Sequence, residues 1–290
     1  MRKAGLVVLV LAVAGLAAAP AVARTHGAAR VGRAQTPRFG LRVPGMMKAP
    51  NVLNTQPLAL SLNWSGWAAT SKKGSFNYVH AQFRQTAVKC DGKPNNWTSQ
   101  WTGLDGFASG TVEQDGTFAA CLGKNHRHKV YEAWYEMFPA GSVNVFAVKP
   151  GDLIDSLVWY GNGKFHLRIA DITRHRSASV SAACSECLRS SAEWITERPA
   201  LCNNTQTKCF ITALANFGTD RYMDASAGID GGQAKPISYF AHTPIDMVQP
   251  KKNGKLILLA HTSRLSRNGH SSSNFSVKWR ARGGIFPITL

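Results

Sequence analysis

The chain has 290 residues, 34 Lys/Arg against 16 Asp/Glu, a formal charge of +18 and a hydrophobic share of 44%. Beyond its N-terminus no apolar run reaches the ~20 residues that a membrane-spanning helix requires, and its basic residues are spread, with no recognised nucleic-acid-binding motif. A membrane span in the mature form and specific nucleic-acid binding are therefore not expected, and the charge reads as a solvated, soluble surface.

Arg2 and Lys3 precede an apolar stretch, Gly5 to Ala19, too short to cross a bilayer, and Ala21-Val22-Ala23 forms a small-x-small cleavage signal. Residues 1–23 are thus predicted to be a signal peptide and the protein to be secreted; a membrane anchor would need a longer run. Residues 24–58 are rich in Arg, Ala, Gly and Pro, contain no acidic residue and show no period of 2 or 3.6. They read as a basic leader or pro-segment. Eight of the cations lie in these first 58 residues, so the remaining domain, 59–290, keeps a net charge of +10. That length suits one β-sandwich with an ample core.

Within the domain, short alternating runs mark strands. Phe165, Leu167 and Ile169 alternate with polar residues behind Gly161-Asn162-Gly163, Asn253-Gly254 marks a hairpin ahead of Lys255 to Leu259, and Phe275, Val277 and Trp279 alternate near the C-terminus. Capped runs of period 3.6 are missing. The predicted fold is all-β, two packed antiparallel sheets without internal repeat. Six cysteines in an exported chain favour disulfides. Cys202 with Cys209 would close a short loop, and Cys90 with Cys121 would join two strands around residue 114. Cys184-x-x-Cys187 has zinc or redox spacing, but no second pair follows it, and His126 and His128 lack a third ligand; no metal is expected.

Ordered segments carry the chemistry: Asn63-Trp64-Ser65-Gly66, then Trp101-Thr102-Gly103-Leu104-Asp105-Gly106 leading to Gln114-Asp115-Gly116, then Tyr131-Glu132-Ala133-Trp134-Tyr135-Glu136, then Ala192-Glu193-Trp194-Ile195-Thr196-Glu197. In this order and spacing they resemble the eqolisins, the glutamic peptidase family. There a Trp-x-Gly-x-Asp-Gly segment shortly precedes a catalytic Gln, and a catalytic Glu closes an Ala-Glu-aromatic-Ile-x-Glu segment. The resemblance implies a sandwich of two large curved antiparallel sheets of the concanavalin A-like lectin and glucanase type, with the site on the concave face. It implies Gln114 and Glu197 as the catalytic pair, protein or peptide substrates, no cofactor and a monomer. Asn63, Trp64, Trp101, Asp105, Trp134 and Glu136 are expected to bind substrate or support the pair. Two features depart from the family: its fungal members are typically acidic, and Glu113 and Asp115 flank Gln114 where apolar or small residues are usual.

Strand alternation refines these expectations. Glu193, Ile195 and Glu197 should share one face of their strand, with Ala192, Trp194 and Thr196 on the other. Trp101, Gly103 and Asp105 should share a face, as should Glu132, Trp134 and Glu136. Trp134 and Trp194 fit either a groove wall or the sandwich core. Arg198 should turn away from Glu197 and take no catalytic role.

The chemistry fits a Gln/Glu pair. Peptide hydrolysis needs a base for water, donors for the oxyanion and a proton for the leaving amine. Glu197 can take and return a proton, while the neutral Gln114 amide offers N–H donors at every pH. Glu193, four residues from Glu197 and thus ~13 Å along a strand, is too distant to tune it; desolvation by indoles or a hydrogen bond from Gln114 is the better cause. Two other classes stay open. A non-catalytic lectin-like module would keep the sandwich without needing both residues. A glycoside hydrolase would need paired carboxylates, for which Glu136 with Glu197 or Asp105 could serve.

Overall fold

A computed structural model describes residues 36–38, 47–48, 58–203, 208–268 and 270–288. The predicted signal peptide lies outside the described residues, as does the leader except for two short strands and Leu58. Those two, β1 (Thr36–Arg38) and β2 (Met47–Lys48), precede β3 (Ala59–Ser61), β4 (Trp64–Thr70), β5 (Phe76–Arg84), β6 (Asn96–Leu104), β7 (Val112–Leu122) and β8 (His128–Phe138). Next come β9 (Val143–Ala147), β10 (Leu153–Gly161), β11 (Lys164–Asp171), β12 (Arg176–Ala182), β13 (Ser191–Glu197), β14 (Ala200–Cys202), β15 (Cys209–Ile211) and β16 (Ala213–Leu214). The chain continues through β17 (Thr219–Ile229), β18 (Lys235–Pro236), β19 (Ala241–Pro250), β20 (Leu256–Thr262), β21 (Ser266–Asn268), β22 (Ser272–Trp279) and β23 (Phe286–Ile288). Among the described residues the one helical element is a 3-10 turn, Ile237–Tyr239.

Two antiparallel layers result, as the alternating runs predict. The first has the order β19-β4-β13-β6-β7-β8-β9; the second has the order β22-β17-β5-β10-β11-β12. β20 pairs with both β19 and β22 and so links the layers at one edge. The hairpin between β10 and β11 turns at Asn162 and Gly163, both with positive φ (51° and 75°), which is the backbone a two-residue primed turn demands.

Alternation also sorts the side chains. Trp67, Phe76, Phe83, Trp194, Tyr222 and Phe275 fill the space between the layers, each large buried side chain contributing about 1.5–3 kcal/mol of transfer free energy. Trp194 is thus core, with its Nε1 donating to the His80 carbonyl at 2.9 Å. On the other face of the first layer a second cluster gathers Trp64, Trp97, Trp101, Phe118, Trp134 and Ile195. Trp134 therefore lies in this second cluster, on the face opposite Trp194. β13 is buried along its whole length because it has the core on one side and this indole cluster on the other.

All six cysteines pair, Cys90–Cys121, Cys184–Cys187 and Cys202–Cys209. The last bridge staples β14 to β15, where the two residues are directly opposite each other. The leader strands add to sheet edges beside the predicted site: β1 pairs with β14, just past Glu197, and β2 pairs with β3, just ahead of Asn63.

Candidate active site

The antiparallel register assembles the predicted residues from five strands, β4, β6, β7, β8 and β13. Gln114 on β7 lies opposite Gly103 on β6 and Glu136 on β8. Glu197, the last residue of β13, lies opposite Trp64 on β4 and Ser99 on β6. Trp101 is two residues along from Ser99 on the same face, opposite Gly116. That glycine is required: a Cβ there would sit 2.6 Å from the Trp101 Cβ and 2.2 Å from the Gln100 carbonyl oxygen. With no side chain at Gly116, Trp101 can lie over the sheet and reach Glu197.

Each oxygen of Glu197 meets a fixed donor. Asn63 Nδ2 donates to Oε1 at 3.0 Å and Trp101 Nε1 donates to Oε2 at 2.8 Å. Both bonds are buried and favour the ionised carboxylate. Trp64 packs edge-on against Trp101, ring centroids 5.1 Å apart, which holds the indole in place. Gln114 Nε2 donates one N–H to Glu136 Oε2 at 2.8 Å. An amide nitrogen has two N–H groups, so a second remains for a ligand, and Gln114 Oε1 has no hydrogen-bond partner in this buried setting. Gln114, Glu136, Glu197, Asn63, Trp64, Trp101 and Trp134 are all fully buried.

Asp105 departs from the expectation that it shares a groove face with Trp101 and Gly103. It follows β6 in the left-handed region (φ 68°), and its carboxylate accepts from Arg189 N at 2.6 Å and from Ser190 N at 2.9 Å. It ties down the loop before β13 and supports the site from a distance. The break in strand geometry after Leu104 defeats simple alternation.

Glu113 and Asp115, the departures beside Gln114, point to the opposite face of β7. Asp115 lies in the inter-sheet core, where Ser156 Oγ donates to it at 2.6 Å, and burial raises its carboxyl well above the usual range. Glu113 sits beneath the Cys184–Cys187 bridge, its Oε1 2.8 Å from Cys187 Sγ; burial and the neighbouring Asp105 carboxylate push it up too. Glu193 is likewise raised, chiefly by burial, and accepts from Phe107 N at 3.2 Å. Glu113, Cys184 and Cys187 bring their ligand atoms together, but sulfurs bonded to each other present no thiolate to a metal.

One buried group, Asp220, escaped sequence reasoning, and another, Arg198, has a supporting role that it did not foresee. Asp220 on β17 lies in the core, its oxygens accepting from Thr86 Oγ1 at 2.7 Å and Thr196 Oγ1 at 2.9 Å. Arg198 turns away from Glu197 as predicted, and braces the site from behind. Its Nε donates to the Leu62 carbonyl at 2.7 Å and its main-chain N to the Asn63 carbonyl at 3.0 Å, fixing the turn that presents Asn63 to Glu197. Desolvation lowers its guanidinium to about 9.

The peptidase A4 family model matches residues 62–274, which hold every segment of the site. The chain belongs to the eqolisins, the glutamic peptidases of that family. Scytalido-glutamic peptidase, solved with a peptide-based transition-state analog, superposes with a TM-score of 0.60 at 21% identity, covering 75% of this chain and 98% of its own. SCP-B, an eqolisin solved with the tripeptide Ala-Ile-His, gives 0.59 at 20% identity with the same coverage. At these identities the structures attest the shared fold, and the family model carries the assignment. No curated protein sequence matches the chain. As a glutamic peptidase the protein acts on protein or peptide substrates.

Proposed function

We propose that this eqolisin is a secreted endopeptidase that works at acidic pH through Glu197 and Gln114. The observation that supports this most directly is the cradle around Glu197, where two neutral donors, Asn63 and Trp101, hold an otherwise desolvated carboxylate in a fixed position. Such a carboxylate takes a proton from water as the water oxygen bonds to the scissile carbonyl carbon. The free N–H of Gln114 donates to the resulting oxyanion, and its Oε1 orients the water. Glu197 then returns the proton to the amide nitrogen, the C–N bond breaks, and the carboxylate is regenerated. Glu136 keeps Gln114 turned the right way. Every step uses side chains of this chain and one water.

The leader, residues 24–58, is in this reading a pro-segment removed on maturation. Its two strands pair with Ala200–Cys202, which follows Glu197, and with Ala59 and Leu60, which precede Asn63, and it carries cations and no acid, whereas the site is rich in carboxylates. Acidification protonates those carboxylates and loosens the leader.

The test is hydrolysis of casein across pH 2–8, with a β-glucan as the comparison substrate. Wild type should cleave casein in acid with or without EDTA. Glu197→Gln should abolish turnover with an unchanged circular dichroism spectrum, and Gln114→Ala should cost ~10²–10³ in rate. Cleavage of the glucan instead, or an active Glu197→Gln variant, would overturn the assignment.

A further inference from the structure

The spread of basic residues along the sequence becomes a concentration in space at one end of the second layer. No acidic residue follows Asp246 in the chain, and this acid-free segment supplies β20, β21 and β22. At the end of β22, Lys278 lies opposite Thr219 at the start of β17. The register of Tyr222 with Phe83 then brings Arg221 beside Arg84, the last residue of β5. Lys89 bridges to Asn216 just ahead of β17, and Arg280 follows β22. Arg84, Lys89, Arg221, Lys278 and Arg280 are all exposed, and none forms an ion pair among the described residues. The carboxylates nearby are committed, Asp91 to Arg282 at 3.4 Å and Asp246 to His261 at 2.9 Å.

A cavity of about 180 Å³ opens within this end, lined by Lys89, Asp91, Asn96, Asn216, Trp279 and Arg282. Its walls are fixed. Arg282 Nε donates to Asn96 Oδ1 at 2.7 Å and its Nη2 to the Pro94 carbonyl at 2.8 Å, while Trp279 Nε1 donates to the Leu214 carbonyl at 3.4 Å. An indole, two amides and the Lys89 ammonium, with Asp91 and Arg282 paired to each other on the wall, match one sugar unit bearing a carboxylate or sulfate: the ring lies on the indole and the charge meets Lys89.

We propose that this end of the molecule is a docking surface for an acidic polysaccharide, with the cavity taking one anionic sugar unit and the surrounding cations following the polymer. Clustered, unpaired cations repel one another and hold a loose anion atmosphere, and a polyanion that replaces it gains the entropy of counterion release. A nucleic acid presents a similar charge but calls for several base-stacking aromatics along a groove, whereas this surface offers a single indole set in a small pocket. The site involves none of the residues assigned to catalysis, so the docking stands independently of the Gln114/Glu197 mechanism.

The experiment measures binding of the full-length secreted protein to immobilised polygalacturonate from 25 to 200 mM NaCl, with neutral dextran and duplex DNA as competitors. Binding should weaken linearly in log–log with salt. The triple variant Arg221→Ser/Lys278→Ser/Arg280→Ser should bind at least ~10-fold more weakly at low salt and reduce the salt slope by roughly two to three. Trp279→Ala should weaken binding further without altering the slope. Removing the same charge elsewhere, by Lys72→Ser/Lys73→Ser/Lys164→Ser just ahead of β5 and at the start of β11, roughly 25 Å along β5 from Arg84, should change affinity less than about threefold, since charges beyond a Debye length are screened. Equal losses in the two triple variants would mean net charge alone is at work and would overturn the proposal. So would absence of binding, or stronger competition by DNA than by free polygalacturonate.

Discussion

Replacing Asp220 by Asn should flatten the dependence of stability on pH. The Asp220 carboxyl is fully buried between the layers with two threonine hydroxyls as its hydrogen-bonding partners, and desolvation raises it from 3.8 to about 7. The sign follows from linkage. Below about pH 4 the group is protonated in folded and unfolded chains alike, and the native state has its full stability. Between about pH 4 and pH 7 the unfolded chain ionises while the folded one does not, so stability falls, and above pH 7 the loss is complete. A shift of roughly three units corresponds to about 4 kcal/mol at ~1.4 kcal/mol per unit. Asn keeps the shape and cannot ionise, so relative to wild type it should gain up to about 4 kcal/mol at pH 8, or roughly 10 °C in Tm for a domain of this size. Asp115 and Glu113, raised by the same cause, add slopes of the same sign that the variant leaves in place. The facing Tyr222 hydroxyl is itself raised, chiefly by its burial. The assay is thermal unfolding by tryptophan fluorescence from pH 4 to 8, with Glu197→Gln as background to suppress self-digestion. If the Tm curves of variant and parent ran parallel over that range, Asp220 would be ionised in the native state and the desolvation argument would fail.

Trp101→Phe removes one of the two donors on Glu197 while retaining an aromatic ring; the carboxylate loses support, and the acid limb of kcat/KM should move upward in pH. Asp105→Asn turns an amide N–H toward backbone donors at 189 and 190, so it should cost about 1–3 kcal/mol in denaturant unfolding and leave the pH profile in place; a shifted profile with unchanged stability would return Asp105 to the groove. N-terminal sequencing of secreted protein, with activity followed as the leader is lost, should find activity rising once the chain begins beyond about Leu58. A fully active protein that still begins at Arg24 would eliminate any inhibitory role for the leader.

The all-β architecture was legible because strand pattern is local: Phe165, Leu167 and Ile169 alternate whatever lies above them, and Asn162-Gly163 adopts positive φ for reasons internal to the turn. Glu193, Ile195 and Glu197 could likewise be set against Ala192 and Trp194, since period 2 holds wherever the strand is regular. The ordered segments from Asn63 to Glu197 supplied the family. What alternation could not say was which face met what. Trp134 and Trp194 look alike in sequence, and only sheet stacking put Trp194 into the core and Trp134 among the site indoles. Asp105 left its predicted face because one left-handed residue redirects a side chain, and the backbone of 189–190 that captures it lies far along the chain. The donors on Glu197, the brace of Arg198 behind Asn63, and the gathering of Arg84, Arg221 and Lys278 each depend on which strands become neighbours. Pairing between distant segments is a property of the assembled sheets, and the hydrogen bonds, burial and local charge that govern chemistry exist only once those sheets have formed.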